Sequence, residues 1–120
     1  MCDFGTGFKA PEMVKKRPVV ILSNRHREVA TVVPISTTEP VPVEACHHEL
    51  ADSSLPLPLR GKPHWAKCDM VTTVALWRLD RVRGKKHPTT GKRTYSSRMV
   101  SSEDLVAILE AVGSVLGLRI

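Results

Sequence analysis

Residues 17–36, RPVVILSNRHREVATVVPIS, decide the fold of this 120-residue chain. Two runs of β-branched and aliphatic residues, 18–22 and 29–35, flank a polar segment at 23–28. Short apolar runs of this kind favour buried strands, and the polar residues between them favour a turn. The stretch therefore predicts a buried hairpin of two antiparallel strands.

One end of the predicted hairpin carries polar side chains that are suited to chemistry. Arg17 stands directly before the first strand, and the hydroxyl residues Ser36 and Thr37 follow the second. Because paired antiparallel strands run in opposite directions, the start of one lies beside the end of the other. We therefore expect a guanidinium and a hydroxyl at the same end of the sheet.

The rest of the chain divides by its turn formers and its apolar periodicity. We expect loops at 5–16 and 51–63, a third strand within 41–50, a strand over 71–79 that buries Trp77, a hairpin tip at 80–94 and a short strand at 98–100. After Ser101 or Ser102, either of which can cap a helix, apolar residues recur at helical spacing. The expected buried face of this C-terminal helix comprises Leu105, Ile108, Leu109, Val112, Val115 and Leu116.

Composition limits the class of protein. A chain of 120 residues is long enough for one domain, over 1–120, and too short for two. The net charge of +6 suggests a polyanionic partner, either nucleic acid or an acidic protein, although a merely soluble basic surface has the same charge. Three cysteines without framework spacing favour a reducing compartment. Because the chain shows neither a membrane-length apolar run nor a signal peptide, we expect a cytoplasmic protein.

Several motifs, taken in order, resemble the MazF/PemK family of toxins from bacterial toxin–antitoxin pairs. Glu12 precedes Arg17 by five positions, the second strand ends in VPIST at 33–37, and WAKCD stands at 65–69. A strand through Leu79-Asp80 and the terminal helix complete a resemblance that covers nearly the whole chain. The family's first strand is expected to be shortened here, because the chain starts at MCDF.

The resemblance implies both a fold and an activity. The fold is mainly β with a C-terminal helix, a small antiparallel barrel of SH3-like type. The activity is metal-independent, sequence-selective cleavage of single-stranded RNA, in which the 2′-OH attacks to give a 2′,3′-cyclic phosphate. No cofactor is implied, and the partners are an acidic antitoxin and a second copy of the chain. The alternatives are a non-catalytic basic RNA-binding barrel, a truncated inactive toxin, and a toxin that acts on a protein target.

The resemblance also assigns roles to residues. Arg17 and Ser36 match positions that stabilise the reacting phosphate, since a guanidinium fork and a hydroxyl both donate to phosphoryl oxygens. Asp69 matches a base and Lys67, in place of an arginine, matches an acid. Glu12 matches a loop glutamate that orients the arginine or contacts RNA. Each residue has a structural alternative: a surface cation, a strand-end hydroxyl, a backbone-capping carboxylate or a solvated charge.

A second group of residues is suited to holding RNA. A positive track for phosphates would comprise Lys15, Lys16, Arg81, Arg83, Lys85, Lys86, Lys92 and Arg93, with Thr37 as a further hydroxyl donor. An unpaired base can stack on Trp65, Trp77 or Tyr95, because proteins that bind single-stranded RNA commonly stack bases on aromatic side chains. The alternative for the charged hairpin is a merely solvated tip.

The histidines and cysteines raise the question of zinc. Cys46, His47 and His48 with His64 and Cys68 contain zinc-type donors, and the last two have ligand spacing. Three adjacent residues on a strand would point to alternate faces, which argues against a shared ion. We therefore predict that the protein holds no metal.

Overall fold

The computed structural model describes residues 1–5, 7, 10, 15–96 and 99–118, with the backbone alone described at 83–86 and 93–96. These residues form short strands, 3₁₀ turns and one α-helix. The strands are β1 (Cys2–Asp3), β2 (Lys16–Arg17), β3 (Val19–Ser23), β4 (Val29–Ser36), β5 (His47–Glu49), β6 (Trp65–Lys67), β7 (Thr72–Ala75), β8 (Val82–Lys86) and β9 (Arg93–Ser96). The helix is α1 (Ser102–Val115), and the 3₁₀ turns are Asp52–Ser54, Leu57–Leu59, Cys68–Met70 and Leu76–Arg78.

The long strand β4 is the centre of the largest sheet. Along one edge it pairs antiparallel with β3, as the sequence predicts for the hairpin at 17–36. Its other edge is shared between two strands. There β7 pairs with the first half, and β6 pairs with the last two residues, Ile35 and Ser36. Strand β5 then extends the sheet from β6.

Strands β6 and β7 are consecutive in the chain and lie along the same edge of β4. If the register of β6 continued, Asp69 would lie opposite Val32, but Val32 pairs with Thr72. The 3₁₀ turn Cys68–Met70 takes up the three residues of difference. Asp69 therefore lies on a turn between two strands and outside the ladder itself.

Pro34 lies inside β4, where a proline is normally excluded because it has no N–H for the ladder. The N–H of Ile35 donates to the carbonyl oxygen of Pro18, on the β3 side, at 2.9 Å. Neighbouring N–H groups of a strand point to opposite edges, so Pro34 presents its missing N–H to the edge shared by β6 and β7. That edge is unpaired between Val32 and Ile35, so the proline removes no ladder hydrogen bond.

The prediction of a mainly β fold with one C-terminal helix is confirmed. The predicted closure into a barrel is wrong. The described strands form a five-stranded sheet, β3-β4-β6-β5 with β7 on β4, and two separate two-stranded sheets, β1-β2 and β8-β9. Closure would require the outer strands β3 and β5 to pair, but β4 and β6 lie between them in the strand order, and the sheet formed by the described residues stays open.

Several predicted boundaries are wrong for local reasons. Within 41–50 only His47–Glu49 is a strand, because prolines at 40 and 42 restrict the preceding chain to turns and bends. The strand predicted over 71–79 ends at Ala75, and Trp77, on the following 3₁₀ turn, is 69% exposed rather than buried. The short strand expected at 98–100 comes earlier, as β9, and Arg98 lies outside the described residues.

Helix α1 begins where the sequence predicts but presents a different face. The side chain of Ser101 accepts a hydrogen bond from the N–H of Asp104 at 3.2 Å, so Ser101 is the N-cap. Ile108 is fully buried, whereas Leu109 is 45% exposed and Leu116 more so. The helix packs on β5 and on the Cys68–Met70 turn, which rotates its buried face toward residues 104, 108, 111 and 112. No helix in the described part of the chain is long and apolar enough to cross a bilayer.

The two faces of β4 support two apolar clusters, as the alternation of side chains along a strand requires. Val33 and Ile35 belong to the larger cluster, which α1 covers with Ile108. Ala30 and Val32 belong to the smaller cluster, which lies between β4, β7 and β1. The larger cluster is aliphatic apart from Cys68, in agreement with the low aromatic content of 4%, whereas the smaller cluster also contains Cys2 and Phe4.

A buried carboxylate fastens α1 to the rest of the chain. Asp104 Oδ1 lies 2.8 Å from His48 Nε2 on β5. Asp104 Oδ2 accepts from the Ala51 N–H at 3.0 Å and from the Ser54 hydroxyl. Burial raises the pKa of this carboxyl, but hydrogen bonds from Ser54, His48 and Ala51 outweigh burial and bring the pKa below its usual 3.8. The carboxylate is therefore held ionised, and its hydrogen bonds tie the first turn of α1 to β5.

We predict that Asp104→Asn lowers the free energy of unfolding by about 1.5–3 kcal/mol at pH 7, because it removes charge-assisted hydrogen bonds. Since the folded-state pKa lies below 3.8, the contribution is complete above that pH and is lost as the pH falls through the folded value. Urea denaturation from pH 7 to pH 3 measures the difference between the two proteins, which should shrink at acidic pH. Glu103→Gln, at an exposed carboxylate of the same helical turn, is the control and should cost less than about 1 kcal/mol. Equal urea midpoints for Asp104→Asn and the parent at pH 7 would contradict the role of this carboxylate.

Candidate active site at the ends of β2 and β4

Arg17 and Ser36 lie opposite each other at one end of the sheet. The N–H of Ile35 donates to the carbonyl oxygen of Pro18 at 2.9 Å, which fixes the register just before the strands end. The same register, continued by one residue, places Arg17 opposite Ser36. Strand β2, which ends at Arg17, also contacts β4. The structure therefore places Arg17 and Ser36 at the same end of the sheet, as the pairing of the two predicted strands requires.

The Arg17 side chain has an unused donor. Arg17 pairs with Cys2 across the small β1–β2 sheet and is half-buried. Its Nε atom is buried, and none of the described residues accepts a hydrogen bond from it. A buried donor without an acceptor costs about 1–3 kcal/mol. An anionic ligand at this position would relieve that cost, and a guanidinium is suited to a phosphate.

Ser36 is buried, with 4% of its surface exposed, and its hydroxyl is already partly engaged. Its Oγ accepts a hydrogen bond from the Thr38 N–H at 3.2 Å. This is the local backbone role that the sequence leaves open as the alternative for a strand-end hydroxyl. The hydroxyl hydrogen is still able to donate to an acceptor. Thr37, the other hydroxyl residue at this position, is exposed.

Trp65 lies at this end of the sheet, and the sequence-based interpretation of it as a stacking platform for a base is wrong. It pairs with Ser36 on the side of β4 away from β3, and its ring is buried. A buried ring offers no face for a base, so Trp65 is not a stacking platform. Its Nε1 atom is buried and makes no hydrogen bond in the described part of the chain. Two buried N–H donors without acceptors, on Arg17 and on Trp65, thus belong to the residues on either side of Ser36.

Lys67 and Asp69 lie farther along β6, away from this end. Lys67 is two residues beyond Trp65, about 7 Å along a strand, and it pairs with His47 on β5. Asp69 is on the 3₁₀ turn that follows and is exposed. Its carboxylate groups with Cys46 and His47, and the donor atoms of these three residues lie within 4.8 Å of one another. The structure therefore separates the predicted base and acid, along the strand, from Arg17 and Ser36.

The thiols near Asp69 are held in the neutral form. Burial raises the pKa of Cys68 to about 11, with further contributions from Cys46 and Asp69. The pKa of Cys46 is also raised, first by burial and then by the charges of Asp69 and Glu44. The N–H of Cys68 donates to the Cys46 carbonyl oxygen at 2.9 Å, which brings the two cysteines opposite each other. All three cysteines of the chain are free thiols.

The zinc set suggested by the sequence does not assemble as a whole. His48 is bound to Asp104, and His64 is buried with Nδ1 2.9 Å from the carbonyl oxygen of Lys62. Cys68 is fully buried, and its thiol points to the Ala66 carbonyl oxygen at 3.9 Å. Cys46 and His47 nevertheless lie close together, because Cys46 belongs to a turn and not to the strand. The assumption that adjacent residues splay apart is therefore wrong for this pair.

The predicted RNA-contacting cations are placed in part. Lys15, Lys16, Arg81 and Lys92 are exposed. Arg83, Lys85, Lys86 and Arg93 lie on the β8–β9 hairpin, of which the backbone is described. Glu12 lies outside the described residues. On the exposed surface, Trp77 carries the Arg78 guanidinium 4.5 Å above its ring, so a base would have to share this face with a cation.

Comparison with known proteins gives one family and related structures. A family model described as "PemK-like, MazF-like toxin of type II toxin-antitoxin system" matches residues 1–115. The solved structure of the Mycobacterium tuberculosis toxin MazF-mt6 is similar over 91% of this chain and 94% of its own, with 24% identity and a TM-score of 0.61. A second solved Mtb toxin is similar over 87% of this chain and 96% of its own, with 21% identity and a TM-score of 0.57. A search of curated proteins gave no match. At these identities the solved structures establish a shared fold.

Proposed function

The chain belongs to the family of PemK-like, MazF-like toxins of type II toxin–antitoxin systems, and on this premise we propose that it is an endoribonuclease. It cleaves single-stranded RNA at selected sequences without a metal ion. The observation that carries the proposal is the position of Arg17 opposite Ser36 in the continued β3–β4 register, together with the buried N–H donors of Arg17 and Trp65, which lack acceptors among the described residues. Such donors suit the phosphoryl oxygens of an RNA backbone.

The reaction requires a base, an acid and hydrogen-bond donors to the phosphoryl oxygens. The 2′-oxygen attacks the adjacent phosphorus while a base takes its proton, and the bond to the 5′-oxygen breaks as an acid supplies a proton. The products are a 2′,3′-cyclic phosphate and a 5′-hydroxyl. Arg17 and Ser36 donate to the phosphoryl oxygens, where negative charge increases in the transition state. The family resemblance gives Asp69 the role of the base and Lys67 that of the acid, with Glu12 as the alternative base. Because Lys67 and Asp69 lie farther along the chain of β6 than Trp65, the reacting phosphate would have to lie between them and the pair Arg17 and Ser36.

The net positive charge of the chain supports two kinds of partner, RNA and an acidic antitoxin. A chain with a net charge of +6 and exposed cations at Lys15, Lys16, Arg81 and Lys92 attracts the RNA backbone. An acidic antitoxin is attracted by the same charges and would exclude RNA by covering Arg17. We further propose that two copies of the chain assemble in the cytoplasm and bind RNA along their interface, as the family resemblance implies.

Arg17→Ala should lower the cleavage rate by on the order of 10² to 10³, because it removes a preorganised donor to developing charge. The rate is measured on a single-stranded RNA of mixed sequence that carries a fluorophore and a quencher, in buffer containing EDTA. Thermal unfolding should change little. Arg25→Ala, at an exposed arginine of the β3–β4 turn at the opposite end of these strands, is the matched control and should cleave like the parent. Unchanged cleavage by Arg17→Ala, or loss of parental activity in EDTA, would sink the proposed mechanism.

The base is identified by the dependence of rate on pH. A general base must be deprotonated to act, so the parental rate should fall on the acidic side as the base becomes protonated. Asp69→Asn should abolish this acidic limb together with most of the activity. Glu12→Gln should retain the limb. The opposite result, in which only Glu12→Gln removes the limb, would transfer the role of base to Glu12.

The salt dependence of RNA affinity tests whether the cations of the β8–β9 hairpin contact RNA phosphates. For a single strand, each phosphate that the protein no longer neutralises should reduce the slope of log affinity against log salt concentration by about 0.7. A variant with Lys85, Lys86, Lys92 and Arg93 replaced by alanine should therefore show a clearly shallower slope. Binding is measured with a 2′-O-methyl oligonucleotide, which lacks the nucleophile and is not cleaved. Arg25→Ala/Arg27→Ala is the control on another turn, and equal slopes for the two variants would exclude the hairpin from the RNA track.

A further inference from the structure

We propose that Cys46, His47 and Asp69 form a binding site for Zn²⁺, and that zinc bound there blocks RNA cleavage. The first part rests on the geometry of these three side chains. The second part rests also on the proposed function, because it assigns Asp69 a role in catalysis. The donor atoms of the three residues lie within 4.8 Å of one another.

The spacing suits a small cation. Three donor atoms no more than 4.8 Å apart always share a point within about 2.8 Å of each of them, and zinc bonds to sulfur, nitrogen and oxygen are about 2.0–2.3 Å long. Each donor therefore needs to move inward by roughly half an ångström, which small side-chain rotations supply. A thiolate, an imidazole and a carboxylate are all zinc ligands, and three protein ligands leave a fourth position for water.

The backbone holds the ligands in place before a metal arrives. His47 and Lys67 are paired in the β5–β6 ladder, and the N–H of Cys68 donates to the Cys46 carbonyl oxygen at 2.9 Å. These hydrogen bonds fix the turn with Cys46 against the turn with Asp69. Ligands carried by hydrogen-bonded elements in this way lose less conformational freedom on binding than ligands on independent loops.

The protonation of the donors is compatible with binding. His47 Nδ1 accepts a hydrogen bond from the Glu44 N–H at 3.0 Å, so this ring nitrogen carries a lone pair. A cation at Nδ1 replaces that one hydrogen bond, and the exposed N–H turns to water. The Cys46 thiol gives up its proton when the metal binds, as thiol ligands do. Thiolate and carboxylate then balance the charge of Zn²⁺, while Lys67 beside them opposes binding.

Zinc at this site would be an inhibitor and not a cofactor. The Asp69 carboxylate that ligates the ion has lost its ability to accept a proton from the ribose 2′-OH. At a free zinc concentration of about ten times the dissociation constant, about nine-tenths of the sites are filled, so the cleavage rate should fall about ten-fold. Free toxin would then be silenced by zinc as well as by an antitoxin.

Binding is tested first with Co²⁺, which takes the same ligands and reports a bonded thiolate by a charge-transfer band in the near ultraviolet. The untagged, full-length chain should develop this band to an equivalence of one ion per chain, and Zn²⁺ should abolish it by displacement. Cys46→Ser should lack the band, and His47→Gln should bind on the order of 100-fold more weakly or worse, since loss of even an outer partner costs 10- to 100-fold. His26→Gln, at an exposed histidine of the β3–β4 turn, is the matched control and should bind like the parent. A folded parent chain without the band, or a band that survives in Cys46→Ser, overturns the site.

Inhibition is tested separately, as the ratio of the cleavage rate with zinc to the rate with EDTA. This ratio should be about one-tenth for the parent chain and for His26→Gln, and near one for Cys46→Ser. If zinc binds but the parental ratio stays near one, the inhibition is refuted while the site stands. If the parent does not cleave RNA even in EDTA, the proposed function fails, and the cobalt titration alone decides the site. If zinc increases cleavage, the inhibition is overturned, while the rate in EDTA still decides whether catalysis needs a metal.

Discussion

The division of one edge of β4 between β6 and β7 is the constraint on which the rest of the structure depends. Two consecutive strands lie along the same edge, and their registers differ by the three residues of the Cys68–Met70 turn. Pro34 fits this arrangement because its missing N–H faces the gap between the two strands. The same division puts Trp65 beside Ser36 and moves Asp69 out of the ladder onto the turn. The position of Asp69 in the proposed metal site follows from it, and so does the place of Trp65 beside the proposed phosphate site.

The sequence predicts the parts of the fold whose signals are local. The hairpin at 17–36 and a helix start capped by one of the two serines 101 and 102 are correct, because β-branched runs and a capping serine act over a few residues. No local pattern predicts strand β6, because it has only three residues, Trp65–Lys67, and follows a loop rich in proline. The apolar pattern of 71–79 predicts that Trp77 lies in the core, whereas a 3₁₀ turn carries it to the surface. Barrel closure was wrong because it depends on distant edges meeting, which no local pattern encodes.

In the candidate site, too, the sequence predicts contacts set by local pairing and does not predict contacts between distant segments. Antiparallel pairing alone predicts that Arg17 and Ser36 meet, since the register of one hairpin determines both positions. The proximity of Cys46, His47 and Asp69 depends instead on a turn before β5 and on a second turn after β6. A regular strand through Cys46 would have sent its thiol away from His47. The prolines at 40 and 42 are the signal in the sequence that this strand starts late, and a late start leaves Cys46 on the turn.

Alternation along β5 connects stability with the proposed metal site. Neighbouring residues of a strand point to opposite faces, so His48 and His47 serve different purposes. His48 faces α1 and lies 2.8 Å from the carboxylate of Asp104, while His47 faces the turn that carries Asp69. The hydrogen bonds of Asp104 hold β5 through His48 and, just beyond the strand, through Ala51. These bonds add to the ladder that pairs all three residues of β5 with β6. The helix that completes the core therefore supports, through His48, the strand that carries His47 of the proposed metal site.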